Sequence, residues 1–303
     1  MCGRYVMARA TGDLVAQGGA APDEELVLRE NWNVAPTAEV PILVAHAGEA
    51  GESAGGDGGD GGDGGGGAGG AGGGEGAGGA VTRRIHVARW GLVPPWAKEL
   101  SVGSRAFNAR SETVAQKPTF RAAARARRCA VPVEGYYEWK APEPGAQGAD
   151  GKAAAKQPYY VHPAGGGDGE GPVIWFAGLY EWWKDPEAEA RGEDPWVLSC
   201  SILTCASPDP EDDDGTLASL GRLHDRLPVP LDEETMEAWL EPVKLGSAEE
   251  AEHLVARVVE RAESVAAGWD LRPVGTAVGN VRNNGPELIA PLSAAVGDQE
   301  RLV

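Results

Sequence analysis

Cys2 lies in the opening stretch Met1-Cys2-Gly3-Arg4-Tyr5. Removal of Met1 leaves it with a free α-amine and a thiol on adjacent carbons, a 1,2-aminothiol that no internal cysteine can offer. The amine can add to an aldehyde to give an imine, and the thiol can close on that imine to give a five-membered thiazolidine. α-Amines titrate at about 7.7–8.0 and thiols at about 8.5, so part of each nucleophile is available near neutral pH. Gly3 lets backbone pass close to a neighbour. Arg4 sets a fixed cation beside the terminus, able to take a phosphate. The plainer reading is an ordinary residue of a frayed end, so the case depends on what the rest of the chain brings to Cys2.

The composition narrows that search. The 303 residues carry 45 Gly, much of it in one tract, and 10 Trp against 3 Phe. Indoles are most often core residues, and they are also the side chains best suited to stacking on bases. A net charge of −19 argues against a nucleic-acid partner at face value. The charge is segregated, however. Between Thr82 and Arg128 stand eleven basic residues against Glu99 and Glu112, so a basic surface within an acidic protein is expected. Its alternative is a solvated helix face around residues 121–128. Cys129, Cys200 and Cys205 sit in apolar runs and read as buried hydrophobes. With no C-x-x-C pair and no histidine at zinc-ligand spacing, no metal and no cofactor is expected. No signal pattern and no apolar run of about 18–20 residues is visible, so a soluble, reduced, cytoplasmic protein without a membrane partner is expected.

The elements that must position Cys2 follow in order. A helix is expected over 21–30 and a strand over 40–45. Residues 48–80 are Gly with Ala, Asp and Glu, a composition that cannot bury enough apolar surface to offset ordering entropy. Strand pattern resumes over 84–90. The tract therefore reads as a disordered loop inflating a hairpin, tolerable because closure cost grows only logarithmically with loop length. Residues 90–96, Trp-Gly-Leu-Val-Pro-Pro-Trp, read as a rigid turn with two indoles. A helix with a basic face is expected over 117–128, then a strand over 129–133 continued by 134–140. Strands are expected over 158–162 and 173–179, joined by a Gly-rich turn, and over 196–205 and 271–274. Acidic loops cover 185–194 and 209–214. Asp232 caps a helix to residue 240, and 248–266 is a second acidic helix. Strands with helices inserted irregularly point to an α+β fold, a single domain with a largely antiparallel, barrel-like β core and peripheral helices.

Seven stretches occur in one order: Met1-Cys2-Gly3-Arg4-Tyr5, Asn33-Val34-Ala35-Pro36, Trp90-Gly91-Leu92-Val93-Pro94, Asn108-Ala109-Arg110-Ser111-Glu112-Thr113, Gly135-Tyr136-Tyr137-Glu138-Trp139, His224-Asp225-Arg226-Leu227-Pro228 and Gly279-Asn280-Val281. Together they resemble the SRAP (SOS response-associated peptidase) family. The resemblance runs from Cys2 to about residue 292 and implies one domain over 1–295, with 48–80 as an insert and 296–303 as a tail. Leu227 stands where the family often has Met, a volume-conserving change. The Gly-rich insert is not typical of the family.

The resemblance implies a protein that recognises abasic sites in single-stranded DNA, or at single-strand/duplex junctions, and links to them through the N-terminal cysteine as a thiazolidine. It implies a nucleoid-associated monomer. Cys2 would supply both nucleophiles. Asn108 would hold terminus and sugar, Glu138 would shuttle protons at the amine, and His224 would protonate the ring oxygen as the sugar opens. Arg4 and Arg110 would grip flanking phosphates. Trp90 and Trp96 would stack on bases, and Asn33 and Pro36 would line the DNA. Each has a plainer reading: Asn108 a turn residue, Glu138 a solvated strand-end acid, His224 a satisfied loop histidine, the two indoles core. An N-terminal-nucleophile hydrolase, such as a glutamine amidotransferase or a peptidase, also starts from a terminal cysteine. The amidotransferase would need loops for the glutamine α-carboxylate and a domain to receive ammonia, and neither is visible.

Deletion of residues 48–80 is expected to leave folding and crosslinking intact, as checked by circular dichroism and adduct formation. A misfolded product would make the tract structural.

Overall fold

The computed structural model describes residues 3–23, 25–48, 80–147, 153–166 and 171–292. Cys2 and most of the 48–80 insert lie outside them. In chain order the elements are β1 (Tyr5–Met7), α1 (Thr11–Gly18), β2 (Asn31–Val34), β3 (Glu39–His46), β4 (Thr82–Trp90), β5 (Asn108–Arg110), α2 (Arg121–Ala126), β6 (Arg128–Val133) and β7 (Gly135–Lys140). There follow β8 (Gln157–Pro163), β9 (Ile174–Lys184), α3 (Pro186–Arg191), β10 (Trp196–Ala206), α4 (Gly215–Leu223), β11 (Arg226–Pro228), β12 (Pro230–Leu231), α5 (Glu233–Leu240), α6 (Ala248–Glu260), α7 (Ala262–Ala266) and β13 (Trp269–Pro273).

Five strands close a barrel. β10 pairs with β4, β4 with β3, β3 with β6, β6 with β9, and β9 returns to β10. Only β10–β4 in this ring is parallel. Closure explains the near-continuous apolar runs of β3, β6 and β10, which are buried almost throughout. A second, antiparallel sheet in the order β13-β8-β7-β1-β2 lies beside the barrel. The fold is the α+β, barrel-centred class expected from the strand pattern. α5 packs on the barrel through Trp239, whose Nε1–H is shared between the carbonyls of Cys129 and Gly178 at 3.0 and 3.2 Å. The helix starts as expected at Asp232, which accepts from Thr235 N at 2.8 Å while Thr235 Oγ1 accepts from Asp232 N at 2.9 Å.

The hairpin expected around the insert is present, with β3 and β4 in register from Glu39 opposite Arg89 to His46 opposite Thr82. Other expectations need correction. Residues 21–30 are not helical; Pro22 and an Asp23 side-chain turn onto Glu25 N (3.0 Å) lead the chain extended into β2. The helix lies earlier, at α1, where Gly19 ends it at φ 59° in the left-handed region that glycine tolerates. The expected helix over 117–128 is helical only at α2. Part of its basic face is turned inward: buried Arg128 donates to the carbonyls of Trp239, Glu241 and Val243, and Arg125 to those of Leu245 and Gly246, while Lys117 and Arg121 are exposed. The acidic stretch 185–194 holds α3, capped by Asp185. The 209–214 loop leads into α4, capped by Asp214 on Thr216 N and Leu217 N. The helix over 248–266 breaks at Arg261. The strands at 157–163 and 174–184 are both present but in different sheets.

The break at Glu134 matters most. β6 and β7 are not one strand; the chain leaves the barrel for the second sheet there. Glu134 is buried, its carboxylate accepts Ala8 N at 2.6 Å and lies 3.8 Å from Arg9, and burial raises its pKa despite both contacts. At the next residue, a Cβ on Gly135 would fall 2.4 Å from the ring of buried Tyr160. Gly135→Ala is expected to cost about 1–3 kcal/mol through overpacking, read as a lower urea midpoint with an unchanged m-value. An unchanged midpoint would mean that Tyr160 can move aside.

Candidate functional site

β1 runs antiparallel to β7 with Tyr5 opposite Tyr136 and Val6 opposite Gly135, and Tyr137 N donates to Arg4 O at 2.9 Å. Carrying that register two residues back sets Gly3 opposite Glu138. Cys2 lies one peptide bond further and outside the described residues. Glu138 is 5% exposed. Its Oε1 accepts Trp139 N at 3.2 Å and stands 3.9 Å from His224 Nε2.

His224 ends α4, its N–H still bonded to Leu220 O at 3.2 Å while its own backbone is extended. Its Nδ1 is 3.0 Å from Arg226 N and 2.7 Å from Asp225 Oδ1. These contacts ask for different protonation. While Nδ1 accepts from the Arg226 amide, the proton of the neutral ring sits on Nε2, toward Glu138. A proton on Nδ1 instead points to the Asp225 carboxylate. The ring thus stands between two carboxylates, one buried and one exposed.

Asn108, half-buried, opens β5 and pairs with Ile202 of β10. An aromatic chain ties it to the N-terminal strand. Tyr5 meets Trp90 edge-on at 5.1 Å, and Trp90 meets Phe107 at 5.8 Å. Trp90 Nε1–H donates to Phe107 O at 2.9 Å. Trp90 is therefore fully buried and offers no face to a base, a correction to its expected stacking role. Asn33 also has an inward part. Its Nδ2 reaches the carbonyls of Val278, Asn280 and Asn283 within 3.2 Å, and its Oδ1 accepts from Arg4 at 2.9 Å. Arg4 is turned the same way, onto Val278 O at 2.7 Å and over the Trp139 ring. Both residues brace the 278–283 loop against β1 and β2. Arg110 is exposed, Trp96 is 59% exposed, and Pro36 is half-buried. After Pro36 comes exposed Thr37 at φ 79°, the one non-glycine residue with positive φ among those described.

The basic window is not one surface. Arg83 and Arg127 pair with Glu237 and Glu181, each at 2.6 Å, Arg89 donates to Thr37 O, and Arg125 and Arg128 face carbonyls. Arg84, Lys98, Arg105, Arg110, Lys117 and Arg121 remain exposed. The sequence reading did not identify Asp225 or the Arg226–Glu112 fork. Arg226 donates to both Glu112 oxygens at 2.6 and 3.0 Å and to Thr204 O at 2.7 Å. It locks the segment after Asn108 to the segment after His224 across the end of β10. Their only sequence signal is that both lie inside the quoted motifs.

The fork holds the Glu112 carboxyl below the usual range, chiefly through the Arg226 hydrogen bond. A depressed carboxylate stabilises the fold above its unfolded pKa of about 4.3 and loses that contribution as pH falls through its lower folded value. Because Glu112 is half exposed, Glu112→Gln is expected to cost only about 0.5–1 kcal/mol near neutral pH, with the difference from the parent disappearing in acid. Urea midpoints at both pH values check this; a pH-independent difference would mean the fork is not ionic.

A family model described as SOS response associated peptidase (SRAP) matches residues 1–281. The "Abasic site processing protein YoqW" of Bacillus subtilis (strain 168) is 31% identical over 206 residues, covering 68% of this chain and 76% of that protein. The "Abasic site processing protein HMCES" of Rattus norvegicus is 29% identical over 238 residues, 71% of this chain and 58% of that one. In fold, a crystal structure of a Bacteroides thetaiotaomicron protein matches with a TM-score of 0.63 at 20% identity, covering 96% of this chain and all of that one. No helix among the described residues is long and apolar enough to cross a membrane. By the span of the family match and the YoqW likeness, the chain belongs to the SOS response associated peptidase (SRAP) family.

Proposed function

We propose that this protein recognises abasic sites in single-stranded DNA and captures them covalently through Cys2 once Met1 is removed. The observation that carries the reading is the β1–β7 register, which runs the residue after Cys2 beside Glu138, itself 3.9 Å from His224 Nε2. The abasic-site names of the relatives agree with it.

The chemistry follows from the groups available. An abasic deoxyribose in its ring-opened form is an aldehyde. His224, with its proton on Nε2, donates to the ring oxygen as the sugar opens. Glu138 takes a proton from the α-ammonium, freeing the amine to attack the carbonyl carbon. Loss of the carbonyl oxygen as water gives the imine, and the Cys2 thiol adds across it to close the thiazolidine. One water leaves for each adduct, and the reverse path uses the same groups. Asn108 orients the terminus and sugar through its amide. Arg110 meets a flanking phosphate, and Trp96 stacks on a base, a contact worth about 1–3 kcal/mol. The turn of half-buried Pro36 and exposed Thr37 borders the same strand. The protein acts as a monomer.

Intact mass, with and without a single-stranded oligonucleotide carrying one abasic site, tests the reading. Loss of Met1 and a stable one-to-one adduct, absent with undamaged DNA, are expected. Cys2→Ser should leave at most a reducible imine. His224→Ala should slow adduct formation or reversal by about 10²-fold or more without weakening DNA binding. Loss of Met1 with no adduct would sink the crosslinking reading and favour a hydrolase using the same thiol; parent rates in the His224 variant would remove that residue from the mechanism.

A further inference from the structure

His46, at the end of β3, and His86, in β4, project from neighbouring strands. Their Nε2 atoms are 3.1 Å apart, with ring centroids at 5.3 Å and planes at 67°. The nitrogens are closer than the centroids, so both face the gap between the rings. A neutral imidazole has one N–H and one lone pair, so the pair shares a single proton as Nε2–H···Nε2. Neither histidine belongs to the Cys2 chemistry. Imidazole nitrogens bind zinc at about 2.0–2.1 Å, and two such bonds from nitrogens 3.1 Å apart would subtend about 100° at the metal. That lies between the right angle of cis ligands in square or octahedral shells and the tetrahedral angle. His46 is exposed and His86 half-buried, so a small tilt of both rings suffices to aim them at one point.

We propose that His46 and His86 form a two-histidine site for a divalent cation of the Zn²⁺, Ni²⁺ or Cu²⁺ class, with water completing the shell. The metal takes the lone pair of each Nε2. The shared proton moves through solvent to Nδ1 of its own ring, so two neutral rings bind without net proton release. Oxygen-seeking Mg²⁺ is not held. Two charges bear on the site in opposite senses. The Arg84 guanidinium acts on both rings against a cation, and Asp23 acts on His86 in its favour. The bound ion would tie the insert end of β3, at His46, to β4 at His86, four residues inside the ladder, and would stabilise the folded hairpin by mass action.

The test is calorimetric titration of NiCl₂ into the full chain carrying Cys2→Ser, because a terminal aminothiol is itself a chelator. One site with a micromolar dissociation constant is expected, more than about tenfold weaker in both H46Q and H86Q, with no heat from MgCl₂. Absence of Ni²⁺ binding, or equal binding in both variants, would overturn the proposal. A second readout needs neither histidine variant. Substoichiometric Cu²⁺ should broaden the His46 and His86 ring proton resonances before any others; broadening confined to other histidines would also overturn it.

Discussion

The pairing of a three-residue strand with β7 is the constraint on which the rest depends. β1 is short, yet its three residues are fully buried or nearly so. It is hydrogen-bonded on both sides, to β2 and to β7. A chain terminus ordinarily frays. Here Tyr5 is anchored on Trp90, Arg4 on the carbonyl of Val278, and Ala8 on the buried carboxylate of Glu134. Residues 5–7 thus run as an interior strand of the second sheet, between β2 and β7. Fixing the backbone of residues 5–7 in the sheet removes conformational freedom from this end of the described chain at the time of folding.

The positioning groups form a connected frame. β10 is the shared member: it closes the barrel against β9, carries Asn108 through β5 on one side, and sets the exit from His224 through β11 on the other. Arg226 ties those two sides with its fork to Glu112. Arg4 and Asn33, polar side chains that a sequence reading takes for ligand contacts, also hold the 278–283 loop.

Much of this was legible in the chain. The apolar runs of β3, β6, β9 and β10, the hairpin around the insert, the Asp232 cap, the burial of Cys129, Cys200 and Cys205, and the α+β class follow from patterning and turn chemistry. Burial raises all three thiol pKa values, that of Cys205 to about 11. What escaped has identifiable causes. α1 and α4 contain glycines that read as breakers, although Gly19 caps α1 and Asp214 starts α4. The split between β6 and β7 is hidden because both halves are apolar, and only Glu134 and the tight approach of Gly135 to Tyr160 mark it. The inward turn of Trp90, Arg4, Asn33 and Arg128 could not be read because residue type reports what a side chain can bind, whereas tertiary packing decides what it faces. The proximity of His224 and Glu138 was not legible in the chain, since the two residues are far apart in sequence; family likeness pointed to each of them separately.

The hairpin of β3 and β4 has two ends with different duties. One end, Glu39 opposite Arg89, adjoins Trp90 and the frame around Asn108; the other, His46 opposite Thr82, receives the Gly-rich insert. At about 3.4 Å per residue these ends are separated by roughly 24 Å of paired strand. A stiff ladder of that length insulates one end from events at the other. The fold thereby contains a natural graft point, where a fluorescent module or an affinity handle could be spliced into the middle of the chain while β1 and its pairing with β2 and β7 stay as they are.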